Sequence, residues 1–222
     1  MLLGVAALAY AGVVDSDYIT PSFTFSPDNR YGVKLPVYHD EADDEQDSRK
    51  NQVVEMATGR VVAVINGDPG YDRALNHHQT APPRWSQDSS LLLWRVDGKW
   101  FPHALVLVKL ENDKEKWQLD LMKAAQKEIL DRTRQAAPRK YSAAKKANAG
   151  NGSAYPEGFT VTVERAEEGT SVSLPLRFVV DLTANPKGIG DFPANLESQL
   201  DAVVGDDGKF VVKRFQLGAR RQ

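Results

Sequence analysis

Cysteine is absent from all 222 residues of this chain. That excludes disulfide frameworks, thiolate zinc sites and thiol nucleophiles together. Histidine is scarce, with four in the chain, and His39, His77, His78 and His103 fall into no HExxH, HxH or HxxxH spacing. Such spacings place two imidazoles on one side of a strand or helix, as a metal requires. No apolar run approaches the roughly 20 residues that span a bilayer as a helix. Neither sign of charge dominates: 28 Lys and Arg stand against 30 Asp and Glu, a formal net charge of -2. The whole chain therefore has no field that gathers nucleic acid. A GxSxG nucleophile elbow is missing. Gly188-Ile189-Gly190 is too short for a dinucleotide fingerprint and follows no βαβ unit. The sequence predicts no cofactor, no metal ligand set and no catalytic residue.

The clearest positive feature is a turn signature present twice. Phe25-Ser26-Pro27-Asp28-Asn29-Arg30-Tyr31 is echoed by Trp85-Ser86-Gln87-Asp88-Ser89-Ser90-Leu91. Each copy is an aromatic residue, a Ser-x-Asp turn and then an apolar residue. Proline presets φ, while Asn and Asp tolerate left-handed backbone, so each copy reads as strand, tight turn, strand. The strands expected around them are 23–25, 31–38, 52–56, 60–65, 91–96 and 104–110. Residues 66–84 form a long loop, the kind that is often functional in a compact domain. Leu91-Leu92-Leu93-Trp94 is apolar without alternation and predicts a strand buried on both faces.

Past residue 113 the pattern changes. Ala, Lys, Gln, Glu, Leu and Arg dominate, all strong helix formers. A helix is expected over 114–135, broken by Pro138, and a second over 139–148 with Gly150 just beyond its end. Period-two alternation returns at 159–165 and 172–182. Leu196, Leu200 and Val203 have helical spacing and predict a short helix over 194–204. Asp206-Asp207-Gly208-Lys209 is a hairpin-type turn before a strand over 210–217. The fold class is thus α+β, mainly antiparallel β-sheet, with two blade-like β units, a central helical segment and a C-terminal β unit. The expected divisions are 1–11, 12–112, 113–150 and 151–222, with the C-terminal unit free to share a core with the first.

The first of these divisions, Met1–Ala11, is uncharged and almost wholly apolar, and Ala9-Tyr10-Ala11 has a small-x-small pattern. This reads as the hydrophobic region and cleavage site of a secretory signal, without its basic leading residues. The expected location is periplasmic or secreted.

Ser26-Pro27-Asp28-Asn29-Arg30-Tyr31 resembles the Ser-Pro-Asp-Gly-Arg turn of TolB-like and WD40-like propeller blades, with Asn29 where that motif has Gly. Trp85-Ser86-Gln87-Asp88-Ser89 resembles the same turn. Met56-Ala57-Thr58-Gly59-Arg60-Val61 resembles the Thr-Gly hairpin that follows it in a blade. The resemblance covers about residues 23–110 and implies local blade geometry. A closed propeller takes at least four blades, and this span holds roughly two. Propellers share no single function, so the resemblance carries over no site. The layout of the whole chain also resembles that of an exported bacterial protein.

Three readings of function stand beside one another. The first is an exported, non-catalytic binding protein with a candidate ligand surface at Asp72, Arg73, His77, His78, Trp85 and Trp100. The second is a hydrolase whose site lies on loop 66–84, built from Asp72, His77 or His78. The third is a structural cell-envelope component that docks through the basic helical residues Arg132, Arg134, Arg139, Lys140, Lys145 and Lys146. The partner is then another envelope protein or a polymeric ligand, with no nucleic acid and no transmembrane span. The acidic run 39–50 has alternating carboxylates at Asp43, Glu45 and Asp47, but Ser48 and Val54 occupy the Gly and Glu positions of an EF-hand loop. It reads as a solvated loop or a weak, non-specific calcium site.

Overall fold

The computed structural model describes residues 17–36, 49–66, 79–80, 82–97, 102–147, 156–166, 171–184 and 196–218. They form three antiparallel sheets and two α-helices, the α+β class expected from the sequence. The first sheet runs in the order β1 (Tyr18–Ile19), β2 (Tyr31–Pro36), β3 (Gln52–Glu55), β4 (Val61–Val64). In the second, β5 (Gln79–Thr80) and β6 (Arg84–Trp85) both pair with β7 (Leu91–Asp97), followed by β8 (Pro102–Glu111) and β9 (Lys114–Asp120). Two helices come next, α1 (Leu121–Ala136) and α2 (Pro138–Ala147). The third sheet is β10 (Phe159–Arg165), β11 (Leu176–Ala184), β12 (Glu197–Val204) and β13 (Phe210–Leu217), in chain order.

The Ser-x-Asp signature folds the same way in both copies. Asn29 N donates to Ser26 O, and Ser89 N to Ser86 O, each at 2.9 Å. The Asp carboxylate accepts the amide two residues on, from Arg30 at 3.0 Å and from Ser90 at 3.1 Å. The Ser hydroxyl accepts Tyr31 N at 3.0 Å and Leu91 N at 2.9 Å. Asn29 and Ser89 take left-handed backbone, with φ of 57° and 59°. A third corner, between β12 and β13, keeps the backbone half of this pattern. Gly208 N donates to Gly205 O at 3.0 Å and Lys209 N to Asp207 Oδ1 at 3.1 Å. Gly205 stands where the other two have Ser, so the hydroxyl bond is missing.

Two segments correct the sequence reading. Lys114–Asp120 is a strand, not the start of a helix. Asn112 and Asp113 both have positive φ, 52° and 56°, and turn the chain back so that β9 pairs with β8. This is the two-residue hairpin geometry that favours Asn and Asp. The helix begins only where Asp120 Oδ1 accepts Lys123 N at 2.9 Å, satisfying an orphan amide. Glu197–Val204 is likewise a strand and not a short helix. Ser198, Leu200, Ala202 and Val204 all turn inward and are buried. The period of two governs, and the helical spacing of Leu196, Leu200 and Val203 is incidental. A smaller correction is at Ser22–Thr24, a 3₁₀ turn where a strand over 23–25 was expected. The break at Pro138 is as expected: it opens α2, where its missing N–H costs nothing.

The second sheet is the middle layer. On one face, Leu92, Trp94, Ala104, Val106, Val108 and Leu110 pack with Tyr31, Val33, Val53 and Ile65 of the first sheet. On the other, Leu91, Leu93, Leu105 and Leu107 join one core with α1 and the third sheet. The unbroken apolar run of β7 is explained by these two cores. Helix α1 buries Leu121, Met122, Ala125, Ile129, Leu130 and Thr133. Trp117 of β9 reaches the third sheet, where its Nε1 donates to Asp206 O at 3.1 Å. Its ring closes over Gly208, where an added Cβ would stand 2.7 Å from the indole. Gly208, with φ of 73°, is also left-handed, so two independent constraints call for glycine here.

Candidate functional site

Of the residues singled out from the sequence, Asp72, Arg73, His77, His78 and Trp100 lie outside the described residues, as does most of the acidic run. Trp85 is described, and it is a core residue. Its exposure is 5%, its Nε1 donates to Thr24 O at 3.1 Å, and its ring stacks on Tyr31 at 6.1 Å between centroids. It ties the second sheet to the first and presents no platform to a ligand. No group of three His, Asp or Glu side chains among the described residues converges as a metal site would.

Two polar clusters hold elements together. At one corner Tyr31 OH donates to Asp113 Oδ1 at 2.5 Å, Arg60 Nη1 donates to Asp113 O at 3.2 Å, and Arg30 lies 3.9 Å from the same carboxylate. Burial, and then the Asp113 hydrogen bond, push the Tyr31 hydroxyl up to about 12. At the other, Glu157 accepts Lys145 Nζ at 2.8 Å, Tyr141 OH at 2.9 Å and Arg134 Nη2 at 3.1 Å. The Lys145 bond leads in holding Glu157 below the usual carboxylate range, and burial pushes Tyr141 up to about 12. Asp28, Asp88 and Asp207 also shift downward. Each of these groups is held more firmly in its ordinary charge state. A general acid or base working near neutral pH is tuned in the opposite direction.

The sequence reading counts SxxK among the missing nucleophile motifs, but Ser142-Ala143-Ala144-Lys145 has that spacing of a serine nucleophile and its base. Both residues lie on the exposed side of α2. Lys145 is ion-paired to Glu157, which keeps its ammonium engaged. The motif here is part of a clasp.

Among the described residues, a recess lies on the outer face of the third sheet, at its turn end. It encloses about 870 Å³ and is lined by Ala166, Pro175, Arg177, Val179, Asp201, Val203, Gly205, Asp207, Val211 and Lys213, with Phe178 and Ala202 beneath. The register explains it. Arg177, Val203 and Val211 form one cross-strand row, and Glu164, Val179, Asp201 and Arg214 the next. Every second residue of these strands is spent on the core, which leaves this row pattern facing out. Val211 is 42% exposed, and Val179 and Val203 are half-buried. Arg177 and Lys213 make no ion pair among the described residues, whereas Asp207 is held by Lys209 at 2.9 Å. The lining can therefore offer a ligand an apolar floor and two cationic donors. The register slip between Asp201 and Ala202, beside Lys213 and Arg214, roughens the β13 edge. Such bulges and charges discourage strand addition at that edge, while the face of the sheet stays open.

The six basic helical residues do not act alike. Arg132 pairs with Glu128 at 3.1 Å, Arg134 with Glu157 at 3.1 Å and Asp131 at 3.5 Å, and Lys145 with Glu157. Arg139, Lys140 and Lys146 are exposed and form no ion pair among the described residues. No described helix is long and apolar enough to cross a membrane. Comparison with protein-family models, curated proteins and solved structures found no match.

Proposed function

We propose that this chain is an exported, non-catalytic binding protein, with its ligand on the outer face of the third sheet. The recess between Arg177, Val203 and Val211 carries this reading. It is concave, its floor is apolar, and a few polar groups converge on its rim, the usual make-up of a binding site. Among the described residues the perturbed carboxyls and tyrosines shift away from neutrality, so none of these groups is tuned as a general acid or base. The antiparallel sheets and the repeated Ser-x-Asp corners favour blade-like local geometry over residues 23–110. Arg177 and Lys213 favour a ligand with an acidic group next to an apolar one.

Panning a random-peptide display library on the full chain tests this. A sequence family pairing acidic with branched apolar residues is expected. It should be lost on Val211→Asp, a change at an exposed position that leaves the core intact and the far-UV spectrum unchanged. Enrichment of the same family on the variant, or of none on the parent, would sink the proposal.

A further inference from the structure

A second surface, independent of the recess, is the solvent face of the helical pair. Residues 121–147 hold eight Lys and Arg against two Asp and Glu, Glu128 and Asp131. The chain total is 28 against 30. The rest of the molecule thus carries twenty cations against twenty-eight acids, and the positive charge is gathered in one place. Helix α2 has four cations and no acid. Tyr141 and Ala144 turn inward, and Arg139 and Lys146, seven residues apart, lie on the opposite side. Lys140 flanks them. Lys145 is taken up by Glu157, so Arg139, Lys140 and Lys146 are the cations left to meet a partner.

The position of two of these cations is unfavourable for the helix itself. Arg139 and Lys140 sit in the first turn, where no acid offsets them. The macrodipole places partial positive charge there, so cations at that end cost stability. Lys145 and Lys146 in the last turn suit the dipole; Arg139 and Lys140 do not. An external anion would relieve that cost.

We propose that this face rests on an anionic phospholipid bilayer. The exposed residues of α2 are Pro138, Arg139, Lys140, Ser142, Ala143, Lys145, Lys146 and Ala147, with no aromatic or large aliphatic side chain among them. A stable protein partner needs a desolvated apolar or aromatic centre, which this face lacks. Single-stranded nucleic acid needs stacking platforms, also lacking here. A flexible polyanion that wraps the molecule meets the acidic remainder. A flat surface touches the basic face alone, because charges more than about 8 Å away are screened at physiological salt. Adsorption is electrostatic and shallow, since the apolar side of α2 is occupied by the protein's own core.

The test is co-sedimentation of the full chain with vesicles of phosphatidylcholine alone and of phosphatidylcholine mixed with phosphatidylglycerol. Binding is expected only to the mixed vesicles and should fall away as salt is raised. The triple variant Arg139→Gln, Lys140→Gln, Lys146→Gln should weaken partitioning on the order of 100-fold, from the usual contribution of each basic residue near an anionic surface. The control Lys50→Gln, Lys114→Gln, Lys116→Gln removes three cations elsewhere and should partition as the parent does. Equal sedimentation with both vesicle types overturns the proposal, as does an unaffected triple variant. Binding of single-stranded RNA by the same three residues, as tight as the vesicle binding, also overturns it by assigning the face to another partner.

Discussion

At the scale of single residues, the hydroxyl pair between α1 and β12 is the most informative. Thr133 Oγ1 donates to Ile129 O at 2.6 Å and lies 2.5 Å from Ser198 Oγ. With its proton committed to the carbonyl, Thr133 accepts from Ser198. Both residues are buried, at 0% and 2% exposure. The two deletions are therefore unequal. Ser198→Ala leaves Thr133 bonded to Ile129 and should cost about 1 kcal/mol, the net worth of one hydrogen bond. Thr133→Val strands the Ser198 hydroxyl in the core and should cost up to about 3 kcal/mol. Adding Ser198→Ala to Thr133→Val should recover part of that loss. Urea unfolding of the three variants gives the order; equal costs for the singles would show that the donor assignment is wrong.

Among the elements, the repeated corner joins local chemistry to pH dependence. Asp88 accepts from the hydroxyls of Ser86 and Ser90 and from Ser90 N. These bonds, with the Ser86 hydroxyl foremost, hold its carboxyl at about 2 against an ordinary 3.8. A carboxyl depressed in the folded state stabilises the fold above its unfolded pKa, and that stabilisation is lost as pH falls through the folded value. The corner should thus weaken between about pH 4 and pH 2. In Asp88→Asn the same acidification should remove less stability, so parent and variant converge toward pH 2. Guanidinium midpoints across this range are the measurement; parallel curves would refute the linkage. The corners were legible because every group in them lies within six residues of the others. The β12–β13 corner was read only as a hairpin turn, since Gly205 hides the likeness to the Ser-led copies.

For the whole molecule, the shared middle sheet sets the cooperativity. Leu92 and Leu93 are neighbours in β7 with opposite allegiances, one in each core. Neither core is complete without the second sheet, so the described parts should unfold together. Far-UV circular dichroism and tryptophan fluorescence should give coincident urea transitions. Amide exchange should be slowest along β7 and β8, which the two cores enclose. Two separated transitions, with Trp94 and Trp117 reporting different midpoints, would show that the layers are independent. The same layering buries Trp85, which the sequence offered as one of six candidate ligand-surface residues. Its sequence neighbourhood is polar, and only the packing of the first sheet on the second buries it.

The sequence by itself determined the features whose causes are local. These are the Ser-x-Asp corners, the break at Pro138, the period-two strand at 159–165, the strand at 210–217 after its turn, and a β7 apolar on both sides. Tertiary structure alone decided the rest. Lys114–Asp120 became a strand because β8 offers it a ladder, against the helical propensity of its Lys, Glu and Gln. Glu197–Val204 became a strand because β11 and β13 flank it. The basic helix was divided into clasped and free cations by Glu157, which the chain brings back from beyond α2. Propensity and turn chemistry act over a few residues, but a side chain's partner is fixed by segments far away in sequence. Which face is core, which charge is paired and which groove stays open are therefore settled only when the layers meet.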